Sequence, residues 1–153
     1  MSSESPEHSH PHVVGFGECD PAGIMYFPRF FDLFHQTMES WFSAIGLPYA
    51  DLIRGRRLGF PAVHTEADFR RPSQFGERLD IRLRVLAVGR RSLELGYRVC
   101  GPQEPGSGPR VTGRTVCAVM DLDPDRPMFG RAVELPADLR ASIDRFRSDG
   151  ATH

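Results

Sequence analysis

The period of the apolar residues predicts an α+β fold, with an antiparallel sheet wrapped around one long central helix. Two observations carry this. A segment from Pro28 repeats its apolar residues at helical spacing, and several later segments alternate apolar with polar residues. Such a sheet must bury its apolar face, and the long helix is the only large element able to cover it.

A short strand is expected over residues 12–16, followed by the turn "ECDPAG". In the helix, Phe31, Phe34, Met38, Trp41/Phe42 and Ile45 fall at i, i+3, i+7, i+10/11 and i+14. Pro28 suits the first turn, where its missing N–H has no intrahelical partner. Gly46 ends the helix and Pro48 prevents its continuation. Phe30 and Leu33 widen the apolar stripe, so the helix should be covered on most sides. "LPYADLIRG" reads as a second, short helix.

Val63, Thr65, Ala67 and Phe69 then alternate with polar residues, as do Leu79, Ile81, Leu83 and Val85, and again Leu93, Leu95, Tyr97 and Val99. These are strands with one wet face. "VGRRS" joins the second and third as a tight hairpin, and "GPQEPGSGP" forms a longer one. Residues 110–122 form a further strand, and a last helix is expected over 136–147, with Leu139, Ile143 and Phe146 on one side.

The chain has 153 residues, enough for one domain with a real core. A formal charge of −1 excludes nucleic-acid or membrane binding by bulk electrostatics. All 19 basic residues are arginine, a side chain suited to phosphate. Three cysteines without a CxxC pair argue against a disulfide framework or structural zinc, and place the chain in a reducing cytoplasm. No apolar run reaches the ~18 residues of a membrane span, and the N-terminus lacks the apolar centre of a signal peptide. Residues 1–11 read as a disordered tail, with a metal-binding histidine tract as the alternative. Residues 12–147 form the domain and 148–153 a second tail.

The chemistry is expected at Asp20. It precedes the long helix, whose N-terminus carries unpaired N–H donors and a partial positive charge. Such an N–H can hold an oxyanion forming on a thioester or ester carbonyl. A neighbouring carboxylate can attack that carbonyl or activate water. Gly23 allows close approach of backbone to ligand, and Tyr26 and Phe27 can wall the pocket. The plainer reading is an Asx turn opened by Asp20 and closed by Gly23.

"DPAGIMYFPRFFDLF", the following "SWFSAIGLP" and the strand pattern resemble the 4-hydroxybenzoyl-CoA thioesterase family, of hotdog fold. The resemblance spans residues 13–146. It implies hydrolysis of an acyl-CoA thioester without metal or cofactor. It also implies a homo-oligomer, a dimer or dimer of dimers, whose sheets join edge to edge with the active site at the interface. The catalytic acid falls on Asp20, and the oxyanion donor on the backbone N–H of Phe27. Arg90 and Arg91, followed by Ser92, match the family's basic pair for the CoA phosphates. His35 stands where the 4-hydroxybenzoyl enzyme has a carboxylate. Phe27 and Tyr26 replace its Tyr and Trp, and Phe60 a smaller polar residue. The aromatic lining still implies an aromatic or other bulky acyl group, with Tyr26, His35 and Phe60 as substrate contacts.

Other arrangements compete. His35 and Glu39, at i and i+4, form either an interface pair or an acid–base pair. Cys19 beside Asp20 is a small buried residue or a nucleophile. Arg70 and Arg71 read as a solvated pair. An aliphatic acyl-CoA or acyl-carrier-protein substrate is the enzymatic alternative. A non-catalytic acyl-CoA-binding module is the other.

Overall fold

The computed structural model describes residues 5–101 and 106–149. Its elements are β1 (His8–Val13), a 3-10 turn (Phe16–Glu18), α1 (Arg29–Ala44), α2 (Tyr49–Arg54), β2 (Leu58–Gly59) and β3 (Ala62–Phe69). β4 (Arg78–Val88), β5 (Ser92–Cys100), β6 (Val111–Ala118), β7 (Met120–Asp121) and α3 (Ala137–Asp149) follow. Five strands form one antiparallel sheet in the order β1-β4-β5-β6-β3, with α1 across its inner face. This is the hotdog fold.

The predicted helix forms because its apolar residues fall on one side: Phe30, Leu33, Phe34, Met38, Trp41 and Phe42 are buried, and Thr37 between them donates its hydroxyl back to the Leu33 carbonyl at 2.8 Å. Gly46 ends it at φ +86°, and Leu47 N–H returns to the Phe42 carbonyl at 2.8 Å. On the sheet, Leu79, Ile81, Leu83, Leu93, Leu95, Tyr97 and Val99 face inward and are buried. Phe34 stacks on Tyr97 at 4.5 Å. Gly113 makes room for it, since a Cβ there would lie 2.4 Å from the Phe34 ring. α3 covers the far part of α1, where Phe146 meets Trp41 edge-on at 5.6 Å.

Several expectations are corrected. The first strand begins at His8, inside what was read as tail, and Phe16 lies in the 3-10 turn. His8, His10 and His12 sit opposite Leu83, Ile81 and Leu79, on the inner face of the sheet. There His8 Nε2 pairs with Ser40 Oγ at 2.8 Å and His12 Nε2 with Glu18 Oε1 at 2.8 Å, so the polar rings find partners at the rim of the core. Among the described residues no three side chains could hold a metal ion. α3 runs to Asp149, past the expected start of the second tail.

The expected strand at 110–122 is two: β6 ends at Ala118, and β7 leaves the sheet to pair with β2. α1 is covered on one side only, with Arg29, Asp32, His35, Gln36, Glu39 and Ser43 exposed. β3 is largely exposed on both faces rather than one, because it is an edge strand. The opposite edge carries Pro11, which cannot donate to a further strand. Of the longer hairpin loop, residues 102–105 lie outside the described residues.

Candidate active site

The Asp20 turn is a small hydrogen-bonded unit. Asp20 N–H donates to the Ile24 carbonyl at 3.0 Å, and Gly23 N–H to the Asp20 carbonyl at 2.9 Å. Ala22 N–H donates to Asp20 Oδ1 at 2.8 Å, an Asx turn. Gly23 sits at φ +80°, where a side chain would be strained. The plainer reading of the motif is therefore present. It leaves Oδ2 without a hydrogen bond among the described residues, on a half-buried carboxylate.

The next residues lead into α1. Tyr26 N–H donates to the Glu18 carbonyl at 2.8 Å. The first helical N–H groups turn inward: Arg29, Phe30 and Phe31 donate to the carbonyls of Tyr26, Phe27 and Pro28 at 2.9, 3.2 and 3.1 Å. Pro28 has no N–H. Within the described residues the Phe27 N–H donates to no acceptor. It is the unpaired donor at this helix start, aligned with the positive end of the helix dipole.

An aromatic series leads from this point to a cavity. Phe69, on β3, meets Phe27 and Phe30 at 5.8 Å each and Phe31 at 6.4 Å. Beyond Phe31 lies a cavity of about 200 Å³ between α1, α2 and the β3–β6 part of the sheet. Phe31, Phe34, Met38 and Phe60 form its apolar walls. Its polar side chains are His35, Tyr49, Tyr97, Cys117 and the paired hydroxyls of Thr65 and Thr115, 3.0 Å apart. Burial pushes the Cys117 thiol up to about 11 and raises the Tyr49 phenol, the latter against an opposing backbone hydrogen bond at Phe60. Both stay protonated and can act as neutral donors. His35 stands edge-on to Tyr49 at 5.6 Å, with Nε2 4.0 Å from Glu39 Oε2.

The predicted substrate residues divide. His35 and Phe60 line the cavity, whereas Tyr26 is half-exposed outside it, edge-on to Phe27. Asp20 and Phe27 lie beyond its wall. Thr65, Thr115 and Tyr49 were missed. For the threonines the signal was a hydroxyl at an inward position of an alternating strand. Cys19 is no activated thiolate: burial, then the carboxylates of Glu18 and Asp20, raise its pKa.

The predicted phosphate residues do not join the Asp20 turn within one chain. Ile24 bridges to Gln74, before the start of β4, while Arg90, Arg91 and Ser92 follow its end. The 11 residues of β4 separate them by roughly 35 Å. Arg90 there pairs with Glu134 at 2.5 Å, both side chains well exposed.

The fold is that of the hotdog thioester hydrolases, and the sequence relatives place this chain among them. The chain belongs to the thioesterase-like superfamily, whose model matches residues 14–143. A 1,4-dihydroxy-2-naphthoyl-CoA hydrolase of Synechococcus elongatus is 31% identical over 100 residues, covering 65% of this chain and 74% of that one. One from Prochlorococcus marinus is 34% identical over 92 residues, 56% of this chain and 61% of its own. Among solved structures, a variant of 4-hydroxybenzoyl CoA thioesterase complexed with 4-hydroxybenzoyl CoA superposes with a TM-score of 0.78 at 23% identity, over 90% of this chain and 99% of the other. A 1,4-dihydroxy-2-naphthoyl-CoA thioesterase from Synechocystis gives 0.77 at 23%, over 90% and 96%. No helix among the described residues is long and apolar enough to cross a membrane.

Proposed function

We propose that this protein hydrolyses an aromatic acyl-CoA thioester to the free acid and CoA. Asp20 attacks the carbonyl or activates water to do so. The Phe27 N–H receives the charge that develops on the carbonyl oxygen. The observation that carries the reading is the N–H left unpaired among the described residues, seven residues after a carboxylate whose Oδ2 is likewise unbonded there. A thioester is already activated, so one placed carboxylate and one aimed dipole are a sufficient minimum. The aromatic series and the cavity fit a flat ring. The names of the curated relatives point the same way.

The site is completed by a second copy. β3 offers an open edge with Val63 and Phe69 exposed. β3, β6, β5 and β4 alternate in direction, so the end of β3 and the start of β4 share the Asp20 end of the sheet. Two β3 edges paired antiparallel bring the second copy's Arg90–Arg91 turn to that end. The pantetheine arm then spans the interface and the nucleotide phosphates meet those arginines.

The test is thiol release from benzoyl-, 4-hydroxybenzoyl-, 1,4-dihydroxy-2-naphthoyl- and a medium-chain acyl-CoA, with wild type and Asp20→Asn in parallel. Turnover of an aryl-CoA that collapses in the variant supports the proposal. Preference for the medium chain points to an aliphatic substrate. No release from a folded oligomer points to a carrier-protein thioester or a binding role. A monomer at micromolar concentration would remove the two-copy site.

A further inference from the structure

We infer that the ion pair between buried Arg110 and half-buried Glu77 is the positioning device of the active site. It holds the Asp20 turn and the Phe27 N–H in register with the sheet. The inference rests on the proposed function and adds residues that neither motif nor family resemblance singled out.

Arg110 stands just before β6 and is 6% exposed. Its backbone belongs to the frame of the sheet: its N–H donates to the Val99 carbonyl at 2.8 Å, and its carbonyl accepts from Arg70 and Arg71 at 2.8 and 3.2 Å. Its guanidinium lies on Gly101, where a Cβ would fall 2.6 Å from Nη2. From there Nη2 donates to Glu77 Oε2 at 2.8 Å and Nη1 to Ser73 Oγ at 3.4 Å. Glu77 uses its other oxygen, Oε1, to accept from Gln74 N–H at 2.7 Å. The two side chains thus clamp both ends of the segment from Ser73 to Glu77.

That segment is the template for the Asp20 turn. Met25 N–H donates to the Ser73 carbonyl at 2.7 Å, and Phe75 N–H to the Gly23 carbonyl at 3.1 Å. Ile24 bridges to Gln74, and Ile24 in turn accepts from Asp20. The same segment holds the end of β1, through Val14 N–H to the Glu77 carbonyl and Gly76 N–H to the Val14 carbonyl, both at 2.9 Å. A hydrogen-bonded path therefore runs from the sheet, through one guanidinium, to the turn that bears the acid and its donor.

Stability alone is a weak reason for such a pair, because an apolar pair of similar volume is often as stabilising as a buried ion pair. What a fork of fixed N–H directions adds is geometry. A reaction that needs a carboxylate and an N–H on one carbonyl is sensitive to about 1 Å of misplacement, which costs on the order of 100-fold.

The experiment compares wild type with Arg110→Met, Arg110→Lys, Glu77→Gln, Gly101→Ala and Asp20→Asn. Two readouts are taken: kcat and KM on the best aryl-CoA, and hydrogen exchange of the amides of residues 23–27 and 73–77. Gly101→Ala pushes on the guanidinium without removing a charge, and serves if Arg110→Met does not fold. The expected result is a fall in kcat of about 10- to 100-fold, with KM within about twofold and faster exchange confined to the two segments. Arg110→Lys should recover part of kcat, as loss of bulk stability would not predict. Unchanged kcat in folded variants, while Asp20→Asn is dead, overturns the inference and leaves the proposed function standing. Full activity of Asp20→Asn overturns the proposed function itself. Exchange at residues 23–27 that does not respond to Arg110→Met or Gly101→Ala overturns the clamp whatever the activity.

Discussion

The two ends of the sheet are built differently, and the difference follows what each has to do. At the Asp20 end, a buried guanidinium, a buried serine and a ladder of backbone bonds fix a five-residue turn. At the β4–β5 hairpin end, Arg90 and Arg91 stand in solvent, and the Arg90 side chain pairs with the exposed carboxylate of Glu134. Bond-making needs donors and acceptors placed to a fraction of an ångström. Holding a phosphate needs positive charge within reach, and mobile side chains provide that. Substitutions should therefore act on rate at one end and on binding at the other.

The sharpest test is Asp20→Asn, which keeps the Oδ1 acceptor for Ala22 N–H and removes the charge. Steady-state thiol release should fall at least ~100-fold, with an unchanged thermal melt. A fall of less than about fivefold would mean that the precise end of the sheet is not the chemical one. Next comes Gly113→Ala, which drives a methyl into the Phe34 ring beneath the same end. It should destabilise the fold by about 1–3 kcal/mol, read by urea denaturation, and disturb the cavity wall as well.

The double change Arg90→Ala with Arg91→Ala should raise KM for CoA thioesters roughly tenfold, as expected for lost charge-assisted hydrogen bonds, and leave kcat near wild type. The same change should weaken the salt dependence of KM. An effect on kcat instead would merge the two ends into one functional unit.

The smallest effect concerns pH. The Arg110 hydrogen bond, set against desolvation, holds the Glu77 carboxyl below the ordinary carboxylate range. A depressed carboxylate pKa means that the unfolded chain binds the proton more readily. The stabilisation is therefore complete above the ordinary Glu value, and is lost as pH falls through the lowered one. Below about pH 4 wild type should lose stability more steeply than Glu77→Gln, measured by chemical denaturation across pH. Parallel acid limbs would leave the pair without an energetic signature.

Much of the architecture was legible because it is local. The helical stripe of α1, the alternation in β4 and β5, the "VGRRS" hairpin and the stop at Gly46 each follow from period or from one residue's backbone preference. The Asp20 turn was legible twice, as an Asx turn and as a family signature. β1 was not, beyond its last residues, because its inward positions are His8, His10 and His12. Polar residues on an inner face read as tail until Ser40 and Glu18 are seen to satisfy them.

By itself, then, the sequence determined α1, α3, the strands β3 to β5 and where the acid sits before α1, since spacing and turn chemistry act over a few residues. Only the tertiary structure decided three further matters. It turned the first-turn amides of α1 inward and left Phe27 N–H unpaired among the described residues. It set Arg90 and Arg91 a full strand's length from Asp20. It buried Arg110 behind Ser73 and Glu77, more than thirty residues away in the chain. Each depends on strands paired across long loops, and pairing energy of that kind is not written in the spacing of any one segment.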